Sequence, residues 1–541
     1  MPDSAIPPLH TPRPMSPLID PAPVLVDLRP TTTAHASARP LVLLGLSASP
    51  SLGRPMDPPD DEPIPILVLP PGALKHETID RVPQPSNALI IPLFNSESIT
   101  PTILATTLTL SEPAATETIH IVETKTVTVV FQATQGASLP PPSPSASDHH
   151  DNENKPVMAT YYPDWTADEF PPEKVDFNRF AWIDFAFAVP DASRRLTFTS
   201  ADSEDSLRRL VSAAHAHGSK VKLSVGGWTG SAYFSDAVSS DSKRHEFVKN
   251  IVAMYHKFSL DGIDIDWEYP GTQGAGSNKV SHQDTPHFLS FLQLLRAQLP
   301  PSAKITAATQ VTPFIGPDGQ PLKDVSAFAK VLDWILIMNY DVWGASSTPG
   351  PNAPLRDGCH NSTQPDASAS ASVAAWTKAG LPANQITLGV PSYGYVQTSS
   401  ASRLVQRRRS LWSREAGDEE GFDTSSTQST AVRVKGEGEG DDSGQIQFKQ
   451  LVSEGALKLD HDGDYVGAGG FNRMWDVCSS TPYLVSKAMR QVVTYDDPQS
   501  LGMKAAFAQG AGLKGVNMFD VHGDTEDWIL TDAIRAGLGL E

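Results

Sequence analysis

Residues 261 to 270 read DGIDIDWEYP, which places Asp261, Asp264, Asp266 and Glu268 close together with isoleucines between them. Side chains alternate along an extended strand, so Asp264, Asp266 and Glu268 share one face, and Ile263, Ile265 and Trp267 share the other. Neighbours on one face stand about 6.5–7 Å apart. Three carboxyls in such a line cannot all ionise comfortably, so at least one should keep a proton near neutral pH. A carboxyl that keeps its proton is what an acid catalyst needs. Asp261 has the opposite parity and suits the strand entry. A calcium loop of the EF-hand type would need a Glu at its twelfth position, and counting from Asp264 that residue is Ala275. The reading therefore includes no metal and no cofactor.

A line of acids is useful only on a rigid support. From residue 157 onward, β-rich runs alternate with amphipathic stretches: 157–162, 182–189, 220–227, 262–269, 304–311, 333–341, 385–394 and 514–523. Between them lie helical patterns. In residues 203–218, Leu207, Leu210, Val211 and Ala214 recur at helical spacing, Ser203 with Ser206 or Asp202 offers a cap, and Gly218 offers an end. A second such pattern spans 282–299. Eight strands, most followed by a helix, fit a (β/α)8 TIM barrel. A doubly wound sheet shares the rhythm, but polar residues at the C-terminal ends of different strands favour the barrel. The gap before the eighth strand exceeds one helix. A small α+β insertion is expected at about 396–490, with a charged, solvated loop at 397–445 that holds RRR (407–409) and DEEG (418–421).

Composition changes along the chain. All ten tryptophans and both cysteines follow residue 160, whereas more than half of the 47 prolines precede residue 151. Proline at that density interrupts helices and central strands. Residues 1–155 are therefore expected to be mostly disordered, with a β segment at 119–132 and a linker at 139–156, ahead of a catalytic barrel from 156 to 541. The net charge of −20 argues against a nucleic-acid partner. No apolar run is long enough for a membrane-spanning helix, and MPDSAIPPLH lacks the features of a secretory signal.

DGIDIDWE resembles the DxxDxDxE signature of glycoside hydrolase family 18, the chitinases and their relatives. SVGG at 224–227 is similar to that family's SxGG on the third strand, and MNYD at 338–341 to its MxYD on the sixth. Residues 494–525 look like the approach to its eighth strand, and the likeness runs from Val157 to the end of the chain. The resemblance implies a retaining hydrolase without a protein nucleophile, in which the substrate's own N-acetyl oxygen attacks the anomeric carbon. By motif position, Glu268 would be the acid and later the base, and Asp266 would orient the N-acetyl N–H. Asp264 would share a proton with Asp266, Tyr340 would donate to the N-acetyl oxygen, and Asp341 would hold the distorted sugar. Tyr161 and Ser224 would compensate the innermost carboxylate, and Met338 belongs to the same binding set.

Sugars stack on flat apolar faces. Trp228 and Trp343 fall at strand ends where they could line a groove, or could be ordinary barrel packing; Trp165 and Trp475 are further candidates, while Trp182, Trp334 and Trp376 read as core. The family commonly carries Trp on its eighth strand where this chain has Phe519, which offers a smaller face and no N–H donor.

Cys359 and Cys478 are widely separated and lie in no metal-spaced cluster. Their contexts resemble those of fungal chitinases, which implies a bridge; two buried thiols are the alternative. Asn361-Ser-Thr is an N-glycosylation sequon. Together with the substrate these features favour an extracellular or secretory-pathway protein; the expected partner is chitin or chitooligosaccharides, and the expected state is a monomer. Three functions remain: a chitinase, a chitin-binding lectin on the same barrel, or an endo-β-N-acetylglucosaminidase acting on glycans. Glu268 speaks against the lectin, and the insertion favours the chitinase.

Overall fold

A computed structural model describes residues 155–404 except 277 and 347, residues 431–540 except 439–441, and the backbone of two short strands nearer the N-terminus. The chain divides into two units. In the unit spanning Leu18–Asp151, Thr102–Ala105 pairs antiparallel with Val127–Val130, in register Thr102 to Val130. The second strand falls inside the β segment anticipated at 119–132. The first was not anticipated. The expected disorder before residue 155 and the charged motifs at 407–409 and 418–421 lie outside the described residues.

The larger unit carries a closed barrel of eight parallel strands: β1 (Val157–Pro163), β2 (Trp182–Pro190), β3 (Lys220–Gly226), β4 (Gly262–Asp266), β5 (Lys304–Thr309), β6 (Trp334–Ile337), β7 (Ile386–Pro391) and β8 (Gly515–Phe519). Each strand pairs with the next, β2 and β3 through a register shift between Phe185 and Ala188, and β8 pairs with β1 to close the ring. All eight fall where the hydrophobic runs place them. The outer layer includes α1 (Ser203–Ala216), α2 (Asp241–Phe258), α3 (Asp284–Gln298), α4 (Ala369–Lys378), α5 (Pro498–Gly510) and α6 (Ile529–Gly537). α1 buries Leu207, Leu210, Val211 and Ala214 as its spacing requires. Its start differs from expectation: Asp202 makes no side-chain cap, and Ser203 Oγ instead donates to Asp164.

The core splits by strand face, as period-two alternation demands. Ile263 and Ile265 point outward into the helix layer, and Trp267 stacks on Phe234 with ring centres 5.3 Å apart. Inside the barrel, Trp182 and Trp334 meet edge to face above the strand starts, and Trp376 is buried outside it. The next interior layer is polar, with Asp184, Lys222, Thr306 and Asn517. Above it stand Tyr161, Ser224 and Asp264.

After β7 the chain enters a five-stranded antiparallel sheet, ordered 444–447, 393–398, 491–494, 481–486 and 472–476, accompanied by a helix at Phe448–Ser453 and a small hairpin at 457–467. The insertion thus starts at Tyr393, only two residues beyond β7, and returns at Thr494. It is slightly wider than the expected 396–490. Cys359 and Cys478 form a disulfide with Cα atoms 5.1 Å apart, tying the β6–β7 connection to this sheet. No described helix is long and apolar enough to cross a membrane.

Candidate active site

β4 ends at Asp266, so its carboxylate column begins inside the strand and finishes beyond it. Asp264 is nearly fully buried. Its Oδ2 accepts from the Tyr161 hydroxyl (3.0 Å) and Ser224 Oγ (2.8 Å), and its Oδ1 accepts from Thr306 Oγ1 (2.5 Å). Three hydroxyl donors thus converge on one carboxyl and fix its orientation. Asp261, at the strand entry, accepts from the Val221 N–H at 2.8 Å, well away from this column.

Asp266 is 3 % exposed, and its Oδ1 has no hydrogen-bond partner among the described residues. Burial pushes its carboxyl well above the usual carboxylate range, and the charges of Glu268, Asp264 and Asp184 push it further. Glu268 lies two residues past the strand. Burial raises its carboxyl to about 7; a hydrogen bond with Tyr269 works against that rise and the charge of Asp341 adds to it. The Glu268 backbone is pinned on both sides: its N–H donates to Ser231 Oγ (2.9 Å), and its carbonyl accepts from Asn278 Nδ2 (3.0 Å).

SVGG brings β3 against this column. Gly226 has a φ of +120°, and a Cβ there would sit 2.2 Å from the Asp266 carbonyl oxygen. Only glycine permits that approach. The Gly227 N–H then donates to the same carbonyl at 2.8 Å.

Across the barrel, Tyr340 and Asp341 follow β6, which ends at Ile337. Asp341 adopts a left-handed φ of 58°, and its N–H donates to Asn352 Oδ1. Its carboxylate Oδ1 accepts from the hydroxyls of both Tyr393 and Tyr395, each at 2.7 Å. Burial raises the Asp341 carboxyl, and these two donors oppose the rise. Burial also lifts Tyr340 well above the usual phenol range, chiefly with Asp266 adding to it, so its hydroxyl is a neutral donor.

An aromatic row floors the mouth. Trp165 stacks on Phe187 (6.0 Å), Phe187 lies 6.2 Å from Tyr161, Tyr161 5.2 Å from Phe519, and Phe519 6.2 Å from Tyr340. Met338 packs into the same cluster. Trp165 is 45 % exposed, and Trp228 and Phe519 are half-buried. Trp343 corrects the groove reading. It is 6 % exposed with its ring against Gly350, where the connection folds back over it and leaves little face for a sugar. Trp475 is half-buried on an edge strand of the insertion, with Arg473 over its ring. Asn361 lies in the loop beside the disulfide, its N–H held by Asp357.

Several residues in this arrangement escaped the sequence reading: Ser231, Asn278, Tyr393, Tyr395, Asp184, Lys222 and Thr306. A hint existed for Lys222 and Asp184, because their parity places two charged side chains on the inner faces of buried strands.

A closed parallel barrel with a buried acid column at the C-terminal end of its fourth strand defines a glycosidase-type site. The pattern of Glycosyl hydrolases family 18 matches residues 157–524, and the chain belongs to that family. It is 39 % identical over 403 residues to a chitinase-like effector of Moniliophthora roreri, covering 72 % of this chain and 95 % of that one. It is 35 % identical to a chitinase-like effector of Moniliophthora perniciosa, with 73 % and 90 % covered. A crystal structure of a chitinase from Rhizomucor miehei superimposes with a TM-score of 0.58 at 30 % identity, covering 70 % of this chain and 99 % of that one.

Proposed function

We propose that the protein is a chitinase that hydrolyses β-1,4 bonds between N-acetylglucosamine units with retention of configuration. The observation that carries this reading is the pair formed by Asp266 and Glu268. One is a buried carboxyl with an oxygen lacking a partner, and the other is a carboxyl held near 7 at the top of the same column. Glu268 protonates the leaving glycosidic oxygen. The substrate's acetamido oxygen closes on the anomeric carbon, giving an oxazolinium ion, and water activated by Glu268 then opens that ring. Asp266 takes the acetamido N–H on its unpartnered oxygen, and by passing its own proton inward to Asp264 it acquires the charge that balances the positive ion that develops. Tyr340 donates to the acetamido oxygen and aligns it. Asp341, held by two tyrosines, accepts from the distorted sugar. Intramolecular attack needs positioning alone, and positioning supplies up to about 7–11 kcal/mol of barrier reduction in well-oriented systems.

A second reading, a chitin-oligosaccharide binder without turnover, rests on the name "chitinase-like effector" carried by the two Moniliophthora relatives and on the smaller ring at Phe519. An oligosaccharide panel separates them. Chitin oligomers cleaved, with cello-oligomers and N-glycans intact, supports the chitinase. Binding without cleavage supports the second reading. Cello-oligomer cleavage at a comparable rate removes the acetamido mechanism, and glycan release points to an endo-β-N-acetylglucosaminidase. We further propose that the protein acts outside the cell as a monomer.

A further inference from the structure

Beneath the carboxylate column the barrel holds a fully buried cation. Lys222, 1 % exposed on β3, places its Nζ 3.1 Å from Asp184 Oδ1 on β2 and donates to Thr306 Oγ1 on β5 at 2.8 Å. The Trp334 ring lies 4.6 Å from the same ammonium, and the Trp182 ring 5.8 Å. Asn517 Nδ2 on β8 donates to Asp184 Oδ2 at 2.8 Å. No substrate reaches this layer, because Asp264, Ser224 and Tyr161 close it from above.

The hydrogen bonds have a direction. Thr306 has one hydroxyl proton, which it gives to Asp264 at 2.5 Å, so its oxygen is the acceptor for Lys222. An ammonium that donates to a hydroxyl strengthens that hydroxyl as a donor. The chain Lys222 to Thr306 to Asp264 therefore delivers positive potential to the foot of the acid column. Asp184 subtracts from it. Burial pushes the Asp184 carboxyl up to about 6, with Lys222 opposing and Asp264 adding.

The other charged and titratable groups around the pair are few. Asp264 and Asp266 face it from β4 and Tyr161 from β1. Lys220 lies over Trp182. Lys304, at the start of β5, is partly exposed and paired with Asp333 at 3.1 Å. None of these lies between Lys222 and Thr306.

We propose that Lys222 and Asp184 are positioning residues that set the charge beneath the acid column, through Thr306 and Asp264, and so bias the protonation of Asp266 and with it the pH window of the reaction. The proposal rests on the hydrolytic reading above. A buried ion pair that served only packing could be replaced by neutral groups at little cost. A pair that sets charge has a signature that packing lacks: its two halves act in opposite directions.

The experiment is the pH profile of kcat/KM on a fluorogenic chitotriose substrate for wild type, Asp184→Asn, Lys222→Met and the double variant. Asp184→Asn leaves the ammonium uncompensated, so both limbs move to lower pH by roughly 0.5–1 unit, less than the 1–3 units of a directly adjacent charge. Lys222→Met moves them to higher pH by a smaller amount, because Asp184 can take up a proton. The double variant returns close to wild type. Where a single variant does not fold, Thr306→Val, which changes no charge, removes the last donor in the chain and also moves the limbs upward. Profiles that superimpose, or that all move one way, overturn the inference. A wild type without turnover at any pH overturns the hydrolytic reading instead. In that case carbon-13 carboxyl titration of the same proteins reads the column directly, and unchanged titration curves overturn the inference.

Discussion

The Tyr395 hydroxyl, carried on the first strand of the inserted sheet, donates to Asp341 Oδ1 at 2.7 Å and so ties the insertion to the loop that faces Glu268. Tyr393 makes the same bond from the same strand. Asp341 in turn helps hold the Glu268 proton, because its charge raises that carboxyl. The insertion therefore reaches the site through two hydroxyl groups.

Removing one of those donors should weaken turnover without unfolding the barrel. Tyr395→Phe is expected to lower kcat/KM about 10-fold or more, since a hydrogen bond to a charged group contributes roughly 1.5–3 kcal/mol. Steady-state kinetics with a thermal melt checks this. The melting temperature should fall by a few degrees, in line with the same bond's contribution to stability, with unfolding still cooperative while kcat/KM falls.

With Glu268 as the proposed acid, the alkaline limb of activity is expected to follow its carboxyl. Its carboxyl is raised to about 7, so the protonated, working form is lost as pH rises through that value. A kcat/KM profile that stays flat to pH 9 would assign the proton to another group.

The same shift has a cost in stability. Glu268 ionises at about 4.5 when unfolded and about 7 when folded, so the folded state keeps the proton between those values. Its contribution is fully present below about pH 4.5 and is lost as pH rises through 7. Glu268→Gln does not ionise. On going from pH 4 to pH 8 it is expected to gain about 1–3 kcal/mol relative to wild type, measured by urea denaturation at each pH.

Phe519 stands between Tyr161, Tyr340 and Tyr393, with ring centres 5.2–6.3 Å away. Phe519→Trp enlarges the face presented to a sugar. It is expected to tighten chitotetraose binding about 3- to 10-fold by calorimetry, in line with about 0.5–1.5 kcal/mol for an aromatic contact. Equal or weaker binding would place the sugar elsewhere along the row.

The strands were legible because both faces of a barrel strand are buried, which leaves β-branched runs between helical patterns. Asp264 and Asp266 were legible because period-two alternation fixes which side chains of the strand share a face. What escaped was long-range. Tyr393 and Tyr395 meet Asp341 from 52 and 54 residues away, and Lys222 meets Thr306 from 84. Nothing in the local pattern at any of these positions names its partner. Trp343 failed for the same reason, since its burial depends on a connection that folds back at Gly350. Glu268 and Asp341 lie past the strand ends, where alternation no longer governs. Their placement comes from Ser231, Asn278 and Asn352, three polar side chains that hold backbone rather than substrate.

The most direct test compares wild type with Glu268→Gln on a fluorogenic chitotriose substrate, with oligosaccharide binding measured on the same samples by calorimetry. Wild type is expected to turn the substrate over, and the variant to lose about 100- to 10,000-fold in kcat while binding stays within a few-fold. Equal turnover in the two proteins, or none in the wild type, would contradict the account.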